Sequence, residues 1–293
     1  MVERGGDLKP RRSGARRVLA AVGLVVVLGL GAYLALGFGS GGPAAPATTQ
    51  ATAVKQPKPF RVVFPEGFTR REMAVRVQAV AKIARRERHH KVKLSAKTYL
   101  AATKPRVVPG FGHGKRSLEG FLFPATYDFL RNTTSKQLVQ AQLVAFRQNW
   151  RKLKLGYARS KNLTPYDVLT IASMIEGEAE VPKERPLIAA VIYNRLRLGM
   201  PLGIDATLRY GLHVPPTQSL TESELHNPTP YNTRLHLGLP PTPIDNPGLA
   251  SLQAAAHPAH VDYLYFVRKP DHKHHYFTSS YQDFLQHEAE YGY

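Results

Sequence analysis

The sequence predicts an α+β protein with a single N-terminal transmembrane helix, a small strand-helix module and a mainly helical domain with short β-strands. Three observations support this class. An uncharged apolar run lies near the N-terminus, capped amphipathic patterns recur through the middle, and a β-prone segment lies at residues 263–267. Because 43% of the 293 residues are hydrophobic and 21% are charged, we expect most of the chain to be globular.

The apolar run predicts the membrane segment. Residues 18–38 carry no charge and are long enough to cross a hydrocarbon core of about 30 Å as a helix. Residues 1–17 are basic, so the positive-inside rule places them in the cytoplasm and the rest of the chain outside. A cleaved signal peptide is the alternative, but the Ala51-Thr52-Ala53 triplet lies far beyond the apolar run. The sequence thus predicts a single-pass protein of the plasma (inner) membrane with an extracytoplasmic functional part.

Charge and cysteine content limit the function classes. Lysine and arginine number 40 against 21 acidic residues, and the net charge of +19 favours a polyanionic neighbour. Export excludes intracellular nucleic acid and leaves an anionic lipid surface or an acidic wall polymer. The absence of cysteine excludes a disulfide framework, thiolate metal sites and thiol catalysis.

The region after the membrane segment begins with a linker. Residues 39–59 are rich in Gly, Pro, Ala and Thr, a composition that does not pack. A strand is predicted at residues 60–64, and Thr69 with Glu72 has the capping-box spacing of a helix start. The basic residues at 85–93 suit either a solvated face or contact with lipid headgroups or an anionic polymer.

Residues 118–293 are predicted to form the larger domain. Residues 104–117 should be a loop, and the aromatic turn at residues 119–124 could line a cleft or fill a core. An amphipathic helix is predicted from residue 135 to about residue 154.

A second helix start precedes a group of carboxylates. Thr164 is a capping residue and Pro165 occupies the first helical position. Glu176 and Glu178 fall on opposite flanks of the apolar stripe that follows, with Glu180 just beyond, and periodicity does not choose between them. Burial would raise the carboxyl pKa and produce a general acid, whereas solvated acids would pair with nearby basic residues.

The next helix carries an amide within its apolar stripe. Pro186 opens this helix and Gly199 closes it, and Asn194 shares a face with leucine and valine. A buried amide requires a hydrogen-bond partner, which here is a structural group, a substrate or the acid.

A series of short motifs extends along residues 119–267. They are, in order, EGFLFP at 119–124, ASMIEGE at 172–178, ERP at 184–186, YNRL at 193–196, GMPL at 199–202, DAT at 205–207, YNT at 231–233, GLPPTPI at 238–244, NPG at 246–248 and YLYFV at 263–267. In this order they resemble the motifs of the MltG/YceG-like endolytic murein transglycosylases. In that family the second Glu of the E-x-E element is catalytic, which corresponds to Glu178. The residues that resemble its cleft lining are Glu119, Asn194, Asp205, Thr207, Tyr231, Asn232 and Thr233.

The chain departs from the family pattern in two places. Residues 60–117 correspond to only part of a LysM-like region, and of the I-P-E-G-x-T motif the chain has FPEGFT at 64–69. The family's D-P-T appears as Asp205-Ala206-Thr207, which we expect to alter loop stiffness more than chemistry. Residues 118–293 correspond to the catalytic domain.

The resemblance implies a peptidoglycan lytic transglycosylase. It would cut the bond between N-acetylmuramic acid and N-acetylglucosamine within glycan strands, leave 1,6-anhydro ends, use no cofactor, and terminate or release nascent strands alongside peptidoglycan synthases. Two alternatives remain open. A hydrolase would require Asp205 or Glu176 as a second carboxylate, at about 5 to 5.5 Å for retention or about 6.5 to 9.5 Å for inversion. A non-catalytic wall tether would bind glycan without cutting it.

A histidine cluster follows the last predicted strand. Asp271, His272, His274 and His275 offer metal-ligating groups, but their spacing matches no helical ligand pair and is typical of a hairpin turn. We therefore predict no metal site, and the resemblance favours a structural role for His275.

Overall fold

The computed structural model describes residues 59–89 and 91–292. The predicted tail at 1–17, the membrane segment at 18–38 and all but the last residue of the linker at 39–59 lie outside these residues. Within the described part of the chain, no helix is both long and apolar enough to span a membrane.

The described residues are mainly helical with three two-stranded sheets, which confirms the α+β class. The helices are α1 (Arg70–Arg88), α2 (Ala96–Ala102), α3 (Ser135–Trp150), α4 (Gly156–Ser160), α5 (Pro165–Glu178), α6 (Arg185–Leu198), α7 (Asp205–Leu212), α8 (Glu222–Leu225), α9 (Leu249–Ala256) and α10 (Tyr281–Tyr291), with a 3-10 turn at Pro182–Glu184. The strands are β1 (Phe60–Val63), β2 (Arg106–Val107), β3 (Lys115–Arg116), β4 (Thr126–Phe129), β5 (Tyr265–Arg268) and β6 (His275–Thr278).

Local sequence signals set the helix starts. The Thr69 side chain accepts the Glu72 N–H and the Glu72 side chain accepts the Thr69 N–H, so the predicted capping box begins α1. Thr164 and Asp167 form the same reciprocal pair at the start of α5. These two predictions are confirmed.

Two predicted boundaries differ from the structure. Residues 104–117, predicted as a loop, contain the short antiparallel hairpin of β2 and β3. Helix α3 ends at Trp150 rather than near residue 154, because the N–H groups of Lys152 and Leu153 bond to carbonyls three residues back and tighten the chain into a turn.

Strand pairing joins residues 60–63 to residues 126–129. β1 pairs antiparallel with β4, with Phe60 opposite Phe129, across the predicted boundary between residues 117 and 118. Both segments contribute to one hydrophobic core, in which the aromatic turn places Phe121 and Leu122 with no exposed surface. The turn therefore fills the core. The assignment of residues 60–117 as a partial LysM-like module stays a prediction.

Helix α5 lies at the centre of this core. Tyr166 and the residues from Val168 to Ile175 are buried, and the helix packs mainly against α9 and α6. Only the C-terminal end of α5 leaves the core, and there it meets the cleft.

Candidate active site

A cleft of about 1280 Å³ opens at the C-terminal end of α5. Its other walls come from the loop before α1, the start of α7, the β5–β6 hairpin and α10. Of the predicted site residues, Glu119, Glu178 and Asp205 line this cleft.

Glu178 is the last residue of α5 and is partly buried in the cleft wall. Its Oε1 atom lies 3.5 Å from the Ala206 N–H in the first turn of α7. Burial raises the pKa of the Glu178 carboxyl, and the Asp205 carboxylate raises it further, whereas Arg268 lowers it. A protonated carboxyl that faces a cleft can act as a general acid.

Gly177 allows α7 to approach this acid closely. Residue 177 is exposed to the cleft, and a Cβ atom there would lie 3.0 Å from the Ala206 Cβ, which is shorter than a normal contact. A side chain at position 177 would push Ala206, and with it the N–H that contacts Glu178, away from α5.

Glu176 and Glu180 have different surroundings from Glu178. Glu176 accepts the Gly248 N–H at 2.9 Å and pairs with Arg185 at 3.4 Å, and its side chain is 6% exposed. Glu180 lies beyond the helix and contacts Arg268 at 3.5 Å from an exposed position. Tertiary contacts thus separate three carboxylates that periodicity left equivalent.

Asp205 begins α7 and pairs with Arg234, with 2.6 Å between Oδ1 and Nη2. The turn before it is held by two buried threonines. Thr207 Oγ1 donates to the Ile204 carbonyl at 2.7 Å, and Thr233 Oγ1 accepts the Ile204 N–H at 3.0 Å. Thr207 and Thr233 therefore position the start of α7 from beneath.

Tyr231 and Asn232 also lie outside the cleft lining. The Asn232 amide donates to the carbonyls of Leu225 and Asn227, at 2.9 and 2.8 Å, and fixes the loop after α8. The Tyr231 hydroxyl lies 2.9 Å from the Thr242 hydroxyl. The predicted substrate contacts of these two residues stay predictions.

Glu119 is 2% exposed and accepts three hydrogen bonds. The Arg70 N–H and the Asn246 amide donate to Oε1 at 2.7 and 2.8 Å, and the Tyr210 hydroxyl donates to Oε2 at 3.1 Å. Burial nevertheless raises the pKa of Glu119 to about 7. This carboxyl joins the start of α1 to α7 beneath the cleft.

Asn194 lies outside the cleft lining. Its amide donates to the carbonyls of Val261 and Tyr263, both at 2.9 Å, and so positions the chain that enters β5. The sequence predicted that this amide needs a hydrogen-bond partner, and its partners are two main-chain carbonyls.

The histidine cluster separates into an exposed turn and a buried pair. His274 contacts Asp271 at 2.7 Å in the β5–β6 turn. His275 contacts Glu184 at 2.8 Å with a side chain that is 1% exposed, and it ties β6 to the 3-10 turn. His275 is also the strand partner of Arg268, whose guanidinium lies 3.5 Å from the Glu178 carbonyl oxygen.

Several residues of the cleft were not expected from the sequence. Asp245 lines it from a proline-rich loop, where no periodicity indicates burial. Tyr265, Tyr281 and Phe284 form an aromatic wall. The centroid of the Tyr265 ring lies 5.5 Å from that of Tyr281 and 5.3 Å from that of Phe284. The spacing of Tyr281 and Phe284, three residues apart on α10, is a signal that could have indicated a shared face.

Comparison with known proteins gives consistent matches. The model of the YceG-like family matches residues 43–290. An endolytic murein transglycosylase of Bacillus subtilis is 38% identical over 157 residues, which are 53% of this chain and 43% of that protein. One of Streptococcus pneumoniae is 36% identical over 179 residues, 59% of this chain and 32% of that protein. The chain therefore spans less than half the length of these curated relatives in the matched regions.

A solved structure matches over more of the chain. The crystal structure of a YceG-like protein from Listeria monocytogenes has a TM-score of 0.64 at 29% identity. The match covers 78% of this chain and 76% of the other.

Proposed function

The chain belongs to the YceG-like family, and on this premise we propose that it is an endolytic peptidoglycan lytic transglycosylase. The name endolytic murein transglycosylase, carried by the Bacillus and Streptococcus relatives, supports the substrate and the reaction. The observation that carries the proposal is the Glu178 carboxyl, which faces the cleft with a pKa raised by burial. The bond cut lies between N-acetylmuramic acid and N-acetylglucosamine.

Glu178 acts first as an acid and then as a base. Its proton goes to the glycosidic oxygen as the bond from that oxygen to C1 of the muramic acid breaks and positive charge develops at C1. The resulting carboxylate accepts the proton of the muramic C6 hydroxyl, whose oxygen bonds to C1. The product is a 1,6-anhydro end, Glu178 is protonated again, and no water is consumed.

The surroundings of the neighbouring acids favour this route over hydrolysis. A hydrolase requires a second carboxylate that is free to activate water or to attack C1. Glu176 is paired with Arg185, and Asp205 is paired with Arg234. Both acids that could take the second role are thus occupied by arginine.

The walls of the cleft suit a glycan with peptide stems. Flat aromatic side chains, such as Tyr265 and Tyr281, offer apolar surface to sugar rings. Arg71 and Arg209 line the cleft as cations, which can attract the carboxylates of muramic acid stems.

The membrane segment predicted at residues 18–38 gives the proposal its place in the cell. An N-terminus in the cytoplasm and a cleft on the outer side would hold the enzyme beside nascent strands at the plasma membrane. There it would terminate or release strands made by peptidoglycan synthases. The partial LysM-like region at 60–117 would lie between the linker and the catalytic domain.

The test compares Glu178→Gln with Glu290→Gln in the full chain, purified in detergent and incubated with peptidoglycan. Glu290 is an exposed carboxylate on α10 outside the cleft. We expect Glu178→Gln to lose about 10² to 10⁴-fold in cleavage rate and Glu290→Gln to keep the wild-type rate. Mass analysis should find 1,6-anhydro ends in the wild-type products. Reducing muramic acid ends would exclude the lytic reaction, and full activity of Glu178→Gln would remove Glu178 from its role.

A further inference from the structure

Asp245 is a buried carboxyl in the cleft that no part of the proposed reaction uses. It is 4% exposed, and its Oδ1 atom is enclosed without a hydrogen-bond partner among the described residues. Because buried polar atoms are nearly always paired, an unpaired carboxyl oxygen in a residue that lines a cleft indicates a missing partner.

Asp245 lies against the end of α5 that carries Glu178. A Cβ atom at Gly177 would lie 3.7 Å from Asp245 Oδ2, and residue 177 stands between Glu176 and Glu178 in the exposed end of α5. Asp245 and Glu178 thus line the same cleft on either side of Gly177, within reach of one bound glycan strand.

We infer that Asp245 is a substrate-binding residue whose neutral carboxyl donates a hydrogen bond to a hydroxyl or acetamido oxygen of the glycan. This inference rests on the proposed function, because it takes the ligand of the cleft to be the glycan strand. It adds a residue that the sequence did not indicate.

The electrostatic surroundings support the neutral form. Burial raises the pKa of Asp245 well above its ordinary value, and the charges of Glu176, Glu119 and Glu72 raise it further. Among the described residues, no cation counts as a cause that lowers this pKa. A protonated carboxyl is a donor, unlike the ionised carboxylate that a hydrolase would need here.

Affinity for a defined probe tests the inference. The probe is a soluble tetrasaccharide of alternating N-acetylglucosamine and N-acetylmuramic acid, titrated by calorimetry into the full chain carrying Glu178→Gln so that no cleavage occurs. Adding Asp245→Ala should weaken binding roughly tenfold. Adding Asp245→Asn, which keeps a neutral donor of the same shape, should leave binding within about twofold.

The melting temperature shows whether weaker binding reflects a lost substrate contact or a destabilised fold. Removing an unpaired buried carboxyl should not lower the melting temperature of Asp245→Ala, so weaker binding at unchanged stability supports the contact. Should that variant melt below the assay temperature, Asp245→Val replaces it, since valine has a similar shape and no polar atom. Binding by Asp245→Ala or Asp245→Val equal to that of the parent overturns the inference.

The outcomes distinguish this inference from the proposed function. If the wild type makes no anhydro ends but Asp245→Ala weakens binding in the Glu178→Gln protein, the reaction fails and the contact stands. If the wild type cleaves and Asp245→Ala has an unchanged KM, only the contact fails. Loss of cleavage in Asp245→Asn alone, with binding retained, would show that the ionised form is required and would also overturn the inference.

Discussion

Replacing Asn246 by alanine should destabilise the floor of the cleft. Its amide nitrogen donates to the Phe68 carbonyl at 2.9 Å and to Glu119 Oε1 at 2.8 Å. Its amide oxygen accepts the Leu122 N–H at 2.9 Å. The side chain thus joins the loop before α1, the aromatic turn and the loop before α9, and Asn246→Ala removes all three bonds.

The expected loss in free energy of unfolding depends on which groups still have a hydrogen-bond partner after the substitution. The Phe68 carbonyl keeps the Asn246 backbone N–H at 3.1 Å, so it is not left without a partner. The buried Leu122 N–H would have none, which costs about 1 to 3 kcal/mol, and a bond to the charged form of Glu119 contributes about 1.5 to 3 kcal/mol. Because adjacent losses are not additive, we expect roughly 3 to 5 kcal/mol.

Thermal unfolding of the full chain in detergent, followed by circular dichroism, measures this loss. At about 2 to 4 °C per kcal/mol for a unit of this size, the melting temperature should fall by roughly 10 °C. Asn149→Ala is the matched control, because the Asn149 amide donates to the Ala145 carbonyl and accepts from Lys152 at a helix surface. A drop for Asn246→Ala no larger than that of the control would refute the reasoning.

Two further predictions concern titration. Ala206→Pro removes the N–H that Glu178 accepts at 3.5 Å; because this bond favours the ionised form, its loss should raise the pKa of Glu178. The pH at which cleavage declines should rise, whereas Ala206→Gly should not move it, and identical pH profiles would contradict the contact. Burial raises the pKa of Glu119 from 4.5 to about 7, so its stabilising contribution is complete below 4.5 and is lost as the pH rises through about 7. Between about pH 4 and pH 8 the free energy of unfolding of Glu119→Gln should therefore fall less than that of the wild type, by about 3 kcal/mol. Melting temperatures measured over this range check the difference, and parallel curves would reject this assignment.

The parts of the fold that follow from local chemistry were predictable from the sequence. The capping boxes at Thr69 and Thr164 involve residues only three positions apart, so the local sequence is enough to predict them. The hairpin of β2 and β3 was not predictable, because its strands are two residues long and lack alternation.

Glu176 and Asp205 in the cleft have partners that are distant in sequence, which were harder to predict from the sequence. Glu176 is held by Gly248, 72 positions away, and Asp205 by Arg234, 29 positions away. Helix periodicity gives the direction of a side chain but not its partner. Family resemblance selected Glu178, and the contacts give a physical reason for that choice.

The cleft raises the pKa of the Glu178 carboxyl although several arginines lie near it. Arg185 and Arg234 lie in the region, yet each pairs with a different carboxylate, Glu176 or Asp205. Arg268 does approach Glu178, but its hydrogen bond there is to the main-chain oxygen and its ion pair is with Glu180. Burial is the main influence on the pKa of Glu178 and raises it; Asp205 raises it further, whereas Arg268 and Arg209 lower it. A cation placed directly against the Glu178 carboxylate would favour ionisation, so in the proposed reaction the ion pairs of Arg185 and Arg234 help Glu178 to keep the proton that it donates.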